Sequence, residues 1–457
     1  MHKHEQIRLL KGLINHLDNK TNINAGGIIK TPADTYTSEE RFTREWDSFF
    51  LNHPQIIGLS GDLPKADTFI TTEDFGVPVL ATRNSKGEFK AYVNICSHRG
   101  VIVENVERGE KSKFSCPFHG WTYSNEGDLI GYPKSEQFGN IEKTCYGLKE
   151  LPALEKFGFL WVHPSQDGVI DLEDLLGDEL IKEFDSWRFE DLIFSNEDVY
   201  TTEMNWKLAI DTFGETYHFS VLHKDSLFQS FYGNCQMFDS FKRNGRLILC
   251  KRTIDELRDL PESEWDICAG SLPVYYLFPN IIFIPTLEGA FLVKEYPAEN
   301  SPHKSYSKIS FYFHPHILDH LKELEKTGIN AKQLLEDQYE GFASVIRDED
   351  YAVAASSHKG LRSGNIDFLT FGKNEPALHH YHNTYREALG LQSLPLEEAI
   401  AVDTFSDKFP TFVPANHAFI SRLCFSLRSI TASMNSDIPF SSIKLDKYPT
   451  MISPLKL

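Results

Sequence analysis

Two short runs, Cys96-Ser97-His98-Arg99-Gly100 and Cys116-Pro117-Phe118-His119-Gly120-Trp121, constrain this chain more than anything else in it. Each offers one soft thiolate and one imidazole, so a fold that uses both must bring two loops together around one centre. Zinc-finger spacing pairs Cys with Cys and His with His, whereas here Cys is paired with His twice. The other cysteines, Cys145, Cys235, Cys250, Cys268 and Cys424, lack such neighbours and are expected to be buried structural thiols, because free Cys is among the most buried residue types. The start, Met1-His2-Lys3-His4-Glu5, has no uninterrupted apolar stretch of the kind a secretory leader carries. A disulfide framework is therefore not expected.

A chain of 457 residues accommodates two domains, and 41% hydrophobic residues supply a sizeable core. The formal charge of −19 repels phosphate backbones and anionic lipid surfaces, which speaks against nucleic acid and membrane as partners. No stretch approaches the roughly 18 apolar residues of a membrane span. A soluble, cytoplasmic protein is expected.

Residues 5–17 place Ile7, Leu10, Leu13, Ile14 and Leu17 at helical spacing, an amphipathic helix packing on something larger. The runs Phe69–Thr72, Pro78–Thr82 and Tyr92–Ile95 read as strands of a small antiparallel sheet, with Asn84-Ser85-Lys86-Gly87 as a hairpin turn and Gly158–Val162 closing the sheet. Further strands are expected at Arg246–Leu249, Ile281–Ile284, Phe291–Lys294 and Ile309–Phe313. Helical patterns at Leu318–Lys326, Ala331–Ser356 and His379–Leu389 flank this second antiparallel sheet. The expected class is α+β, with a helical segment over 1–40, a small β domain over 41–165, a larger domain over 166–390 and a C-terminal extension over 391–457 that completes the larger domain.

Two thiolates on one iron and two histidines on the other form the ligand set of a Rieske [2Fe-2S] centre. The surrounding residues agree: Thr31-Pro32-Ala33-Asp34-Thr35-Tyr36-Thr37, Val93-Asn94-Ile95 before the first run, and Thr122-Tyr123 after the second. From about Ile29 to Val162 the chain resembles the Rieske domain of the ring-hydroxylating oxygenase family, the catalytic alpha subunits of Rieske non-haem iron oxygenases. The resemblance implies that Cys96 and Cys116 hold one iron of the cluster while His98 and His119 hold the other. It also implies that the small domain is all-β and that the larger, catalytic domain has a helix-grip, START-like arrangement.

Asn205-Trp206-Lys207 and Asp211-Thr212-Phe213-Gly214-Glu215-Thr216-Tyr217-His218, running on to His223, resemble the family's active-site segment. His218 and His223 would be ligands of a mononuclear Fe(II). On a regular helix that offset rotates the side chain by about 500°, leaving the imidazoles roughly 140° apart, so both face one metal only where the helix is distorted. The third ligand of a two-histidine-one-carboxylate triad is expected downstream. Asp350, in Arg347-Asp348-Glu349-Asp350-Tyr351, aligns best by its distance to Gly360-Leu361-Arg362-Ser363, with Asp348 as the fallback. Glu215 stands where the family places an acid, usually Asp, that bridges the two metal sites. Asp211 stands where many members carry Asn, and both are candidate catalytic residues.

What the resemblance implies for function is the oxygenase component of a multicomponent system, activating O2 to hydroxylate or cis-dihydroxylate an organic, aromatic substrate. Electrons would come from NAD(P)H through a separate reductase, with or without a ferredoxin, since no Gly-rich dinucleotide fingerprint follows a strand here. One alternative is a monooxygenase demethylating a quaternary ammonium compound, because relatives acting on such compounds also carry Glu at the bridging position. Another is an electron carrier without oxygenase activity. The family's assembly implies a homotrimer, with or without a beta subunit.

Overall fold

An antiparallel sheet of seven strands runs through residues 193–313 in the order Ile193–Thr202, Ser305–Phe313, Gly289–Pro297, Ile281–Pro285, Ser271–Leu277, Asn244–Lys251 and Phe231–Phe241. The computed structural model describes residues 1–398 apart from 327 and 329. Most of the expected extension from Leu391, together with Cys424 and the run Ala418-Phe419-Ile420, lies outside the described residues. Central strands such as Gly289–Pro297 are buried at every position because both faces of the sheet are covered, which is why they read as continuous apolar runs rather than alternating ones. On one face Phe291, Val293, Ile309 and Phe311 meet Ala343, Ile346, Tyr351 and Ala354. On the other, Leu292, Tyr275 and Phe283 meet Phe159, Phe184 and Phe189.

The N-terminal helix, Lys3–Asn19, buries Leu9, Leu10 and Leu13 against Cys235, Ile248, Cys250, Ile254 and Leu257 of the larger sheet and its neighbours. Full burial of one such leucine is worth about 1.5–3 kcal/mol, which is ample to dock a helix of this length. Three strands of the larger sheet were not legible as such. Ser271–Leu277 carries Pro273 inside a paired strand, a residue that cannot donate to the ladder and so argues against a strand there. Ile193–Thr202 is an edge strand rich in polar residues, and Phe231–Phe241 is interrupted by a register shift between Phe231 and Gln236.

The long helical pattern from Ala331 to Ser356 is not one helix. It divides into an α-helix, Ala331–Ser344, a π-helical turn, Val345–Asp350, and a second α-helix, Tyr351–Arg362. The wider turn changes which residues face the core, a distortion that recurs at functional sites.

In the small domain, Thr68–Thr72, Val79–Arg83 and Phe89–Val93 pair antiparallel within a five-stranded sheet completed by Arg108–Glu110 and Glu150–Leu151. Gly87 takes φ +85° in the hairpin, where Asn84 Oδ1 accepts from the backbone of Lys86 and Glu88. The strand Phe159–Val162 does not close that sheet as expected. It pairs with Gln55–Leu59 and Ala153–Lys156 in a separate three-stranded sheet, and all four of its side chains are buried. Phe159 and Trp161 join the core beneath the larger sheet while Leu160 and Val162 face the other way, so both faces of this strand are covered. Cys145 departs from the buried reading of the spare cysteines: it is exposed, in a short turn Lys143–Tyr146 that buries none of its residues. Cys235, Cys250 and Cys268 are buried.

Candidate metal centres

The first centre is built by two loops with the same backbone plan. In one, the Cys96 amide donates to Val101 O at 2.8 Å and the Gly100 amide to Cys96 O at 2.9 Å. In the other, the Cys116 amide donates to Trp121 O at 2.8 Å and the Gly120 amide to Cys116 O at 3.0 Å. Each turn needs its glycine, since Gly100 and Gly120 lie at φ +73° and +68°, where a Cβ is strained. The loops follow Phe89–Val93 and link Lys113–Ser115 to Thr122–Ser124, so two small sheets hold them face to face.

Both thiols are buried, whereas His119 is exposed and His98 partly so. The imidazole rings lie 4.8 Å apart by centroid, and His98 stacks on the buried Trp121 at 4.8 Å and 7°. The Tyr123 hydroxyl lies 3.2 Å from Cys96 Sγ. Burial raises the Cys116 thiol, opposed by the Phe118 and His119 amides that point at its sulfur. Two sequestered sulfurs ringed by donors, with two imidazoles toward the surface, suit a [2Fe-2S] cluster whose histidine-bound iron faces outward.

The second centre lies in the larger domain. The helix Trp206–Asp211, capped by Asn205, leads into an irregular segment with a short 3-10 turn, Tyr217–Ser220. That irregularity removes the angular problem of a regular helix. His218 Nε2 and His223 Nε2 approach to 3.1 Å, and Asp350 Oδ1 stands 3.1 Å from His223 Nε2 and 3.5 Å from His218 Nε2. Among the described residues these three form the one group of His, Cys, Asp and Glu able to hold a metal ion, with one ligand atom each within 4.8 Å of the others. Asp350 comes from the last position of the π-helical turn. Asp348 points to solvent and pairs with Arg347 at 2.6 Å, so the geometry places Asp350 and not Asp348 at the centre.

The field at this point calls for positive charge. Burial works against protonation of His218, yet Asp350 and Glu215 overcome it and hold the ring up at about 9. His223 is raised by Asp350 and Glu349 against the same penalty, and Asp350 is lowered by the two histidines against its own burial. Three converging ligand atoms in such a field fit a divalent cation, which would take the place of those protons.

Other side chains hold the ligands in place. Glu215 accepts from His218 Nδ1 through one oxygen, and from the amides of Tyr217 and His218 through the other, the last at 3.1 Å. Asp211 has both oxygens occupied, Oδ2 by the Tyr36 hydroxyl at 2.6 Å and Oδ1 by His382 Nε2 at 2.8 Å. Sequence reasoning missed these two partners and also Glu349, whose Oε2 lies 2.7 Å from His223 Nδ1 and 2.8 Å from Ser226 Oγ. The only hint of Glu349 in the sequence is its place beside Asp350. A regular helix would turn neighbouring side chains about 100° apart.

The fold and the two centres define a protein that joins a Rieske [2Fe-2S] domain to a larger domain carrying a two-histidine-one-carboxylate centre. The comparisons agree: residues 53–152 match the Rieske [2Fe-2S] domain, and residues 189–391 match the ring hydroxylating alpha subunit (catalytic domain). Those two matches in one chain are the domain pair of the Rieske-type ring-hydroxylating oxygenase alpha subunits. It is 30% identical over 271 residues to the toluate 1,2-dioxygenase subunit alpha of Pseudomonas putida, covering 56% of this chain and 54% of that one. It is 24% identical over 369 residues to the chloroplastic choline monooxygenase of Beta vulgaris, covering 78% and 76%. The chain spans about half the length of most of the curated relatives it matches. Among solved structures, the quaternary ammonium Rieske monooxygenase in complex with L-carnitine superposes with a TM-score of 0.65 at 19% identity, covering 81% of this chain and 97% of the other. Among the described residues no helix is long and apolar enough to cross a membrane.

Proposed function

We propose that this chain is the oxygenase component of a multicomponent Rieske system, hydroxylating or cis-dihydroxylating an aromatic substrate with O2. The observation that carries the proposal is the convergence of His218, His223 and Asp350 in a chain that also presents the paired Cys-His loops. When bound, the cluster supplies single electrons and the ferrous iron supplies the site where dioxygen is reduced. Cys96, Cys116, His98 and His119 would hold the cluster, and His218, His223 and Asp350 the iron. Glu215 fixes the ring of His218 and keeps the proton on its Nδ1. Asp211 braces the segment from below through Tyr36 and His382.

The electrons require a partner, a reductase drawing on NAD(P)H, with or without a ferredoxin. A soluble, cytoplasmic homotrimer, with or without a beta subunit, fits the two exposed faces. Phe118, 54% exposed, sits beside His119 at one, and Tyr217 and Val221, 65% and 78% exposed, flank His218 at the other. Solvent-facing apolar side chains next to each centre suit a head-to-tail contact between copies. A second reading, oxidative demethylation of a quaternary ammonium compound, is favoured by the choline monooxygenase relative, whose similarity spans more of this chain than the toluate enzyme's does.

The test is oxygen uptake with a surrogate reductase, run against a panel of aromatic carboxylates and a panel of quaternary amines, with products identified. Coupled product from the first panel supports the main reading, and from the second the alternative. A purified protein that holds the cluster but takes up no further ferrous iron would instead be an electron carrier.

A further inference from the structure

We infer that Glu349 is a positioning residue for the mononuclear centre, holding His223 in the one tautomer and orientation that leaves its Nε2 free for metal. The inference rests on the reading of His218, His223 and Asp350 as ligands, and it concerns a side chain outside that set.

The geometry is unusual for neighbouring residues. Glu349 Oε2 lies 2.7 Å from His223 Nδ1, while Asp350 Oδ1 lies 3.1 Å from Nε2 of the same ring. Two consecutive carboxylates thus grip opposite nitrogens of one imidazole. Neighbours on a regular helix diverge by about 100°, and here both carboxylates reach the one ring from the end of the π-helical turn Val345–Asp350, the longer Glu349 side chain taking Nδ1 and Asp350 facing Nε2. Ser226 Oγ donates to the same Glu349 oxygen at 2.8 Å. Ser226 follows His223 in the chain, and its amide donates to His223 O at 3.0 Å. Loop and helix are therefore stitched together at one carboxylate.

The tautomer decides whether the centre is open. A neutral imidazole carries one N–H, and the nitrogen without it is the one that can bind metal. If the proton sat on Nε2, it would point at Asp350 Oδ1 and close two ligand atoms onto each other in a hydrogen bond. Glu349 accepts from Nδ1 and so keeps the proton on the far side of the ring. Glu349 is itself 30% exposed at its side chain, so its contribution is directional contact rather than core packing. Glu215 does the same for His218 from within its own turn, but Glu349 acts across the fold, linking residues 223 and 349. Outer acceptors of this kind change metal affinity by about 10–100-fold when removed.

The experiment strips the mononuclear metal from the purified full chain with its cluster retained, then titrates Co(II) by equilibrium dialysis. Bound metal is counted and the ligand-field bands are read as a difference spectrum. Glu349→Ala is expected to bind Co(II) about 10–100-fold more weakly with altered bands. Glu349→Gln, whose amide oxygen still accepts from Nδ1–H, should fall between Ala and wild type. Ser226→Ala should weaken binding less than Glu349→Ala, and Asp348→Ala, a solvent-facing neighbour, should not change it.

Asp350→Ala tests the parent reading separately. If it binds Co(II) as the wild type does, the triad itself is wrong. If Asp350→Ala fails to bind while Glu349→Ala binds like wild type, the triad stands and the role of Glu349 is overturned. Equal losses in Glu349→Gln and Glu349→Ala would also overturn it, because the charge rather than the directed acceptor would then matter. Should Glu349→Ala not fold, unchanged affinity in both Glu349→Gln and Ser226→Ala is the result that rejects the inference.

Discussion

Tyr351 donates its hydroxyl to Glu295, a fully buried carboxyl on the strand Gly289–Pro297, and so pins to the sheet the helix that begins one residue after Asp350. Ser307 also donates to this carboxyl and lies 2.8 Å from the Tyr351 hydroxyl. Burial pushes Glu295 up from 4.5 to about 7, only partly offset by the two hydroxyls. Below about pH 4.5 folded and unfolded chains both carry this proton. Between there and pH 7 the folded chain alone retains it, so stability falls as pH rises through this window and levels off above it. The shift corresponds to about 3 kcal/mol. Urea denaturation at pH 5 and pH 7.5 should show the wild type losing more stability than Glu295→Gln across that interval. Parallel losses in the two proteins would mean that this carboxyl titrates normally.

The two centres draw their ligands from separate segments, and this separation is testable. Replacing His218 or Asp350 with Ala should remove the mononuclear metal and oxygenase turnover while the visible absorption of the cluster persists. His98→Ala should bleach the cluster, because an iron with one of its two imidazoles missing is poorly held. Metal analysis alongside the absorption spectrum distinguishes the cases. Loss of the cluster spectrum in Asp350→Ala would count against the assignment.

Tyr123 lies with its hydroxyl 3.2 Å from Cys96 Sγ and 3.1 Å from the Ser97 amide nitrogen. Hydrogen bonds to the sulfurs of a cluster stabilise its more negative, reduced state. Tyr123→Phe removes that donor while leaving the buried ring, so the cluster's reduction potential should fall with little change in its absorption. Redox titration monitored by circular dichroism or electron paramagnetic resonance gives the answer, and an unchanged potential would show that the hydroxyl is not aimed at the sulfur in the loaded protein.

What could be read from the residues alone divides along physical lines. The cluster loops were legible because each is local: Cys, His and Gly within a few positions dictate one turn, repeated in each loop. Strands such as Ile281–Pro285 were legible because burial on both faces leaves a continuous apolar run. Pro273 hid a paired strand, since its cost is met by the surrounding sheet rather than by anything nearby in sequence. The π-helical turn at Val345–Asp350 was invisible for a related reason. The residues of that stretch suit an ordinary helix, and the wider turn is imposed by packing Ile346 and Tyr351 against the sheet while Asp350 reaches the histidines. Glu349 and the Tyr36-Asp211-His382 contacts join residues far apart in the chain, so no local pattern announces them.

The proposed head-to-tail trimer leads to a complementation experiment. If one copy's cluster serves its neighbour's iron, two chains with opposite defects should rescue each other. A His119→Ala chain lacks a working cluster but keeps His218, His223 and Asp350, whereas a His218→Ala chain has the reverse defect. In mixed assemblies some interfaces place an intact cluster beside an intact iron centre, so turnover should reappear above that of either variant alone. Random mixing gives both chains in about three quarters of trimers, so the recovered fraction should be readily measured. Transfer within one chain predicts no recovery, because each chain still lacks half of its own pathway. Glu215 supplies the control: it holds the ring of His218 through Nδ1, and adding Glu215→Ala to the chain with the intact iron centre should cancel the rescue even where excess ferrous iron keeps that centre loaded. Co-expressed variants that form mixed trimers in which each chain keeps its unmutated centre loaded, yet turn over no faster than the separate ones, would reject transfer between subunits.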